Sequence, residues 1–224
     1  LKPKEFRVAV ARIRRDQGTL NDLRRQVEAA PKDVDKRIAL ANKLKETGDL
    51  KSFEEQVAAV LATDPERKDP KVAKFAYDAL MTRVEALWQQ GKTDGLPAMI
   101  QAHLEQEKDP TVLFRGFATL ASIHEELGRM AEQKGQKEVA AKHVAEARRA
   151  TQEAWKHVPD DQLVRFGHQF ARMLWQGRAE ASAEDQALAL EVARKLQDPA
   201  EEAKDLDALE TVASIYFWNG KKDE

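Results

Sequence analysis

The chain has 224 residues, a formal net charge of −2 and no cysteine. This length suits one large domain or two small ones, and the lack of cysteine excludes a disulfide framework, a thiol nucleophile and cysteine-ligated zinc. The near-neutral charge disfavours binding along nucleic acid, which needs many Lys and Arg residues, and no apolar run approaches the roughly 20 residues of a membrane span.

Glycines and prolines alternate along the chain and divide it into helical segments. Helices commonly stop at a glycine and rarely continue through a proline, and apolar residues within the segments recur at a spacing of three and four. No segment alternates in the manner of a strand. The sequence therefore predicts an all-α fold without a sheet, with helices at 4–17 and 20–30, 33–47 and 50–63, 70–90 and 94–107, 160–176 and 183–197, and a last helix at 203–219.

The segment between Pro110 and His157 allows two interpretations. A turn at Gly128 matches the distance from proline to glycine elsewhere and gives a first helix at 111–127. A turn at Gly135 gives helices at 111–134 and 137–157, and the second of these carries an apolar stripe with helical spacing. We favour Gly135, because a break at Gly128 leaves a second helix far longer than the others.

Residues 34–65 resemble a tetratricopeptide repeat (TPR), a pair of antiparallel helices. Leu40–Ala41 matches the Leu–Gly pair of the family's first helix, and Gly48–Asp49 matches its turn, whereas Phe53 stands where the family has a small residue. The same relative positions recur twice, as Leu120–Ala121, His124 and Gly128, and as Val212–Ala213, Tyr216 and Gly220.

This resemblance implies a right-handed solenoid of about five antiparallel helix pairs, forming one TPR-like domain over residues 1–224. Because the chain begins at Leu1 and its last repeat lacks a second helix, we expect it to be a fragment of a longer protein. Residues 31–65 are also similar to the degenerate repeats that follow thioredoxin-like domains in bacterial proteins. The sequence leaves both a cytoplasmic and an exported, periplasmic location open.

Proteins of the TPR family bind peptides on a concave face that is lined by the first helix of each pair. Transferred to the best-matched repeat, this face comprises Asp35, Ile38, Ala39, Asn42, Lys45 and Glu46. Asn42 and Lys45 resemble two members of the clamp that some relatives use for the C-terminal carboxylate of a peptide. The resemblance therefore implies that Asp35, Asn42 and Lys45 are candidate partner-binding residues.

Three tryptophans lie just before glycines at predicted turns, in the similar strings ALWQQGK, MLWQGR and YFWNGKK. One interpretation is that each indole packs the end of a first helix against its neighbour. The other is that some of them anchor a bound peptide, since tryptophan is enriched in binding hot spots. Trp88, Trp175 and Trp218 are therefore candidate partner-binding residues as well.

Motifs for catalysis, metals and cofactors are missing from the sequence. No two of the five histidines are spaced three or four residues apart, and there is no glycine-rich phosphate loop or G-x-S-x-G elbow. His124 occupies the aromatic position of a repeat and is expected to be structural. Gly116 and Gly167 fall inside helices, where we expect them to permit close helix contact. We expect no enzyme, no bound metal and no cofactor.

Charge is unevenly distributed between the two ends of the chain. Residues 1–27 contain eight basic residues against three acidic ones, and residues 180–210 contain ten acidic residues against three basic ones. These segments are either solvated helix faces or surfaces that complement charged partners, or each other in head-to-tail contacts.

We expect a scaffold module without enzymatic activity that binds a protein or peptide on its concave face. An alternative is that the repeats support or target an upstream catalytic domain, such as a thioredoxin-like one. A third possibility is an enzyme whose site is assembled across several helices. The sequence does not identify the partner or the oligomeric state.

Overall fold

The protein is all-α. A computed structural model describes residues 3–220, and for residues 3–14 and Glu180 it describes the backbone alone. Over residues 3–220 there are ten α-helices and no strand, which confirms the predicted fold class. The helices are α1 (Pro3–Ala29), α2 (Val34–Glu46), α3 (Leu50–Leu61), α4 (Pro70–Gln89), α5 (Leu96–Leu104), α6 (Pro110–Gln133), α7 (Lys137–Lys156), α8 (Leu163–Gln176), α9 (Ala183–Ala203) and α10 (Leu206–Trp218).

The predicted break at Gly18 is wrong. Helix α1 runs without interruption through this glycine, whose φ angle is not positive and whose missing side chain would contact nothing within 4 Å. A glycine alone only weakens a helix interior and does not by itself end the helix. Helices 4–17 and 20–30 are therefore one helix and not a pair.

The turn at Gly135 is confirmed, and Gly128 lies inside α6. Gly135 has a φ of 73°, and the next amide, that of Gln136, donates to the carbonyl of Ala131, which closes the end of α6. Gly128 is buried where α6 meets α7, and a Cβ there would lie 3.4 Å from the Cβ of His143. Gly128 therefore serves close packing of two helices.

The end that Pro199 predicts for α9 is also wrong, since the helix continues to Ala203. Proline removes one helical hydrogen bond, but Leu196 and Ala200 on either side are fully buried and hold this turn against the core. The helix ends instead at Lys204, which adopts the left-handed conformation with a φ of 55°. Helix α5 is shorter than predicted, because it starts after Gly95 and stops at Leu104.

Backbone contacts divide the chain into two compact units. The first extends to Lys92 and includes Gln106–Asp109, and the second comprises Thr93–Glu105 and the chain from Pro110 onward. The prediction of a single domain therefore stays a prediction. Within the units, helices pack on their neighbours in sequence, namely α2 on α3, α6 on α7, α8 on α9, and α10 on both α8 and α9. The handedness of a solenoid likewise stays a prediction.

The core of the first unit is built by the hairpin of α2 and α3 together with α4. Leu44, Phe53, Val60 and Val72 are almost completely buried in one cluster. The carboxylates of Asp33 and Asp49 accept hydrogen bonds from backbone amides in the first turns of α2 and α3. The amide of Lys36 lowers the pKa of Asp33, and hydrogen bonds from the side chain and then the backbone amide of Ser52 lower the pKa of Asp49. The cap residues thus fix where the two helices of the best-matched repeat begin.

The core of the second unit depends on close helix contacts at two glycines. A Cβ at Gly167 of α8 would lie 3.2 Å from both Trp155 of α7 and Leu196 of α9. A Cβ at Gly116 of α6 would collide with Leu104 of α5. The prediction that Gly116 and Gly167 permit close packing is confirmed, and the three helices α8, α9 and α10 share one cluster around Phe170 and Ile215.

Candidate peptide-binding face

A groove of about 450 Å³ lies between α6 and α8 in the second unit. Ser122 and Glu125 of α6 form one wall, and Gln169, Arg172 and Gln176 of α8 form the other. Its floor is apolar and includes Phe166 and Met173. We call this surface the α6–α8 groove. The rings of Phe166 and of Phe114 on α6 meet edge to face, with centroids 5.0 Å apart. This aromatic contact holds α6 and α8 together beside the groove.

A second groove of about 450 Å³ lies between α8 and α10. The wall from α8 contains His168, Arg172, Trp175 and Gln176, and the wall from α10 contains Asp207, Glu210, Thr211 and Ser214. We call it the α8–α10 groove. Arg172 and Gln176 line both grooves, so the two grooves adjoin at α8. We call the surface of α6, α8 and α10 that carries them the grooved face.

Charged side chains of the grooved face have no ion pairs with one another. Glu125, Arg172, Asp207 and Glu210 are all exposed, and none of them is within 4.0 Å of an opposite charge in the part of the chain whose side chains are described. Elsewhere on the second unit, by contrast, Arg148 of α7 is bonded to Asp185 of α9 at 2.6 Å. The grooved face therefore presents charges that a ligand can satisfy.

Trp175 is half-buried at the end of α8 and lies on the border of the α8–α10 groove. Its ring meets Trp218 of α10 at 6.1 Å in an edge-to-face arrangement. The guanidinium of Arg178 lies 3.8 Å above it, a cation–π contact. The structure thus brings together two of the three predicted tryptophans. Trp88 is half-buried on α4 of the first unit.

Trp175 also lines a larger cavity of about 890 Å³ on α10, with Gln197 of α9 and the exposed Phe217. Ala213 lines this cavity and is exposed, whereas the matching Ala41 and Ala121 are buried in their helix pairs. The cavity is therefore on a side of α10 whose matching positions on α2 and α6 are buried. We call it the α10 cavity.

The three predicted residues on α2 lie on the surface of the first unit. Asp35 is bonded to Lys71 of α4 at 2.9 Å, and this hydrogen bond raises the pKa of Lys71. Asn42 and Lys45 are exposed, and their side chains form no hydrogen bond or ion pair with the described residues. Asp35 is thus already paired, and Asn42 and Lys45 remain available to a ligand.

A histidine pair that the sequence analysis did not predict joins α6 and α7. The Nδ1 atoms of His124 and His143 are 3.0 Å apart. Burial and the neighbouring His143 lower the pKa of His124, and Glu146 opposes this shift. His124 also lines a cavity of about 660 Å³ with Phe117, Lys142 and Glu146. His124 is half-buried between α6 and α7, which agrees with the structural role expected for it.

The two charged ends of the sequence are only partly visible in the structure. Among the eight basic residues of the first segment, the side chains of Lys2, Lys4, Arg7, Arg12 and Arg14 lie outside the described residues. In the acidic segment Glu201, Asp207 and Glu210 are exposed around the α8–α10 groove and the α10 cavity. The prediction that these ends bind charged partners stays a prediction.

No group of three or more His, Asp or Glu side chains in the described part of the chain is arranged to hold a metal ion. Nor does any helix of that part combine the length and the apolar character needed to cross a membrane.

Comparison with known proteins gives no family for this chain. No family model matches it, and neither does any curated protein. Among solved structures, it is similar to the "Crystal structure of BtubC (BKLC) from P. vanneervenii", with 15% sequence identity over 94% of this chain and 84% of that chain. The TM-score of 0.36 is too low to transfer any property of that protein.

Proposed function

We propose that this chain is a helical-repeat module that binds a peptide segment of another protein on the grooved face of α6, α8 and α10. The observation that carries this proposal is the pair of grooves that share Arg172 and Gln176 and are lined by charged groups without ion pairs in the described part. Binding by such side chains needs no cofactor and no catalytic group.

The repeat register supports this choice of face. Asn42, a predicted partner-binding residue, stands two positions after Leu40 of the Leu–Ala pair. The same offset from Leu120, Phe170 and Val212 gives Ser122, Arg172 and Ser214. Leu120, Phe170 and Val212 are buried, as Leu40 is, and the three offset residues all line the grooves. This match supports the grooved face, because the position of Asn42 lies on the surface that TPR-like pairs use for peptides.

The chemistry of the face fits an extended peptide better than a small molecule. Side-chain amides of Gln169 and Gln176 can each donate to a backbone carbonyl and accept from a backbone N–H. These two residues are seven positions apart, which places them two turns apart on the same side of α8. Half-buried Trp175 offers apolar contact beside the α8–α10 groove. Together these groups offer hydrogen bonds and apolar contact to an extended segment where it crosses α8.

We further propose that α2–α3, α6–α7 and α8–α9 are TPR-like repeats, with α10 as the first helix of another. Small residues at Ala41, Ala121 and Ala171 are buried at matching positions, and each allows two helices to approach closely. Packing on neighbours in sequence is what repeats of this kind require, because one pair cannot cover its own apolar faces.

Panning of a random peptide library against the full chain tests the function. We expect enriched peptides that lose binding to the double variant Arg172→Gln/Gln176→Ala. The matched control, Lys137→Gln/Gln186→Ala, also removes one cation and one amide, but from exposed positions on α7 and α9 outside both grooves. No enrichment at all, or equal loss in both double variants, would contradict the proposal.

A further inference from the structure

We propose that the grooved face selects peptide segments by the order of their charges, basic then acidic then basic, as the segment crosses α6, α8 and α10. This inference rests on the proposed function and names the chemistry of the partner. It follows from four residues of the face, namely Glu125, Arg172, Asp207 and Glu210.

The charges of these residues alternate across the face. Glu125 of α6 shares the α6–α8 groove with Arg172. Arg172 of α8 shares the α8–α10 groove with Asp207 and Glu210. A segment laid across the three helices therefore meets a negative, a positive and a negative site in turn. The single cation lies between the two acidic sites and lines both grooves.

None of these four charges is neutralised by a described side chain of the protein, although all are exposed on neighbouring helices. Arg172 can take a carboxylate through two parallel N–H donors. Glu125 and Glu210 can each accept from a Lys or Arg side chain. A ligand with the complementary order satisfies all three sites at once, whereas a ligand with another order places like charges together.

The spacing of the ligand charges follows from the geometry of packed helices. Neighbouring helix axes are about 8–10 Å apart, and an extended peptide advances about 3.3 Å per residue. For α8 and α10, which pack on each other, the side chains that meet the two helices are then about three residues apart. We use the same spacing for the step from α6 to α8, which meet through the rings of Phe114 and Phe166. The inferred partner is an extended segment of the type Lys-x-x-Glu-x-x-Lys, with Arg and Asp as equivalents.

The charge order contributes selectivity more than affinity. Exposed ion pairs are individually weak because water and salt screen them, and like charges brought together on binding are penalised. Three of these four residues are acidic and one is basic. If only net charge mattered, the order of the charges in a peptide would not affect its affinity. A purely acidic surface would bind any basic peptide, whatever the order of its charges.

Three peptides of identical composition separate these possibilities. Each contains two Lys and one Glu at a spacing of three, in the orders Lys–Glu–Lys, Lys–Lys–Glu and Glu–Lys–Lys, within one neutral sequence that includes a leucine. Fluorescence anisotropy with the full chain in about 50 mM salt measures their dissociation constants. We expect Lys–Glu–Lys to bind about fivefold more tightly than the other two.

Charge reversal at the central site gives the second arm of the experiment. Arg172→Glu should turn the preference around, so that a peptide with three Lys residues binds more tightly than Lys–Glu–Lys. The control is Lys137→Glu, which changes the net charge by the same amount. This variant, like the unaltered chain, should bind Lys–Glu–Lys more tightly than the peptide with three Lys residues. Circular dichroism verifies that both variants are folded.

The outcomes distinguish this inference from the proposed function. Equal affinity of the three orders, or the same response of both charge-reversal variants, overturns the charge-order selection while peptide binding stands. Failure of these peptides to bind the unaltered chain overturns the inference, and the proposed function falls with it if the peptide library also shows no enrichment.

Discussion

The Nδ1 atoms of His124 and His143 face each other at 3.0 Å across the hairpin of α6 and α7. At this distance one ring must donate its proton and the other must accept it. If both rings carried a proton on Nδ1, two donors would face each other without an acceptor. The lowered pKa of His124 follows from its burial and from this neighbour.

We predict that the hairpin loses stability as the pH falls below neutrality. The pKa of His124 is lower in the folded protein than its ordinary value of about 6.5, so the unfolded chain binds more protons in this range. The loss begins as the pH drops through about 6.5 and is complete below the folded pKa. Urea unfolding at pH 8 and at pH 5.5 measures it.

Comparison with His124→Gln isolates the contribution of this pair from that of other titrating groups. The variant should show a smaller difference in the free energy of unfolding between the two pH values. Glu146, Lys142 and the partner ring of His143 remain in place, so only the titration of His124 is removed. An unchanged difference would show that the pair does not couple stability to pH.

Leu40→Ala should destabilise the protein by about 2–5 kcal/mol, because the side chain is buried in the core of the first unit and its loss leaves a cavity. The control is Leu50→Ala, at a leucine that is 47% exposed on α3, and it should change stability by less than about 1 kcal/mol. Thermal and urea unfolding provide both values. Equal losses would mean that the register of the repeat is misplaced.

Two glycine-to-alanine substitutions should have opposite effects on the free energy of unfolding. Gly48 has a φ of 80° at the turn between α2 and α3, so Gly48→Ala should cost on the order of 1 kcal/mol. Gly18 lies inside α1 with free space around it, so Gly18→Ala should stabilise by about 0.5–1 kcal/mol. Unfolding midpoints compare the two variants with the parent. A gain at Gly48, or a loss at Gly18, would contradict the backbone geometry.

Trp175 and Trp155 form a matched pair for separating binding from stability. Trp175→Ala should leave most of the stability and weaken peptide binding by about 2 kcal/mol or more, because the indole is half-exposed beside the α8–α10 groove. Trp155→Ala should destabilise the protein by about 3–5 kcal/mol, because this indole is only 3% exposed and packs on Phe170. Isothermal titration with a selected peptide and urea unfolding measure both effects.

The sequence predicts most helices of this protein, because glycines with a positive φ such as Gly48 and Gly135 mark real turns. The prediction of helix ends fails at a glycine or proline that the helix continues through. Gly18 has a helical φ, and Pro199 is held inside α9 by buried neighbours. Whether such a residue ends a helix depends on tertiary packing, which a local pattern does not contain.

For the candidate face, the sequence predicts the offset of the binding residues from each Leu–Ala pair, but it does not predict which repeats carry the face. The positions predicted on α2 give Arg172, Ser122 and Ser214 when the same offset is applied to the later repeats. The residues predicted from the sequence lie only in the best-matched repeat, in which Asp35 is already paired with Lys71. The pair of His124 and His143 could not be predicted, because its members are 19 residues apart and meet only through the α6–α7 packing.

Mapping of a bound peptide on the protein tests the grooved face most directly. Backbone amide chemical shifts of the full chain, recorded while the Lys–Glu–Lys peptide is added, report which residues it contacts. We predict that the largest changes fall on α6, α8 and α10 around Glu125, Arg172, Gln176 and Glu210. Changes concentrated on the exposed sides of α7 and α9, or on α2 alone, would contradict the assignment of the binding face.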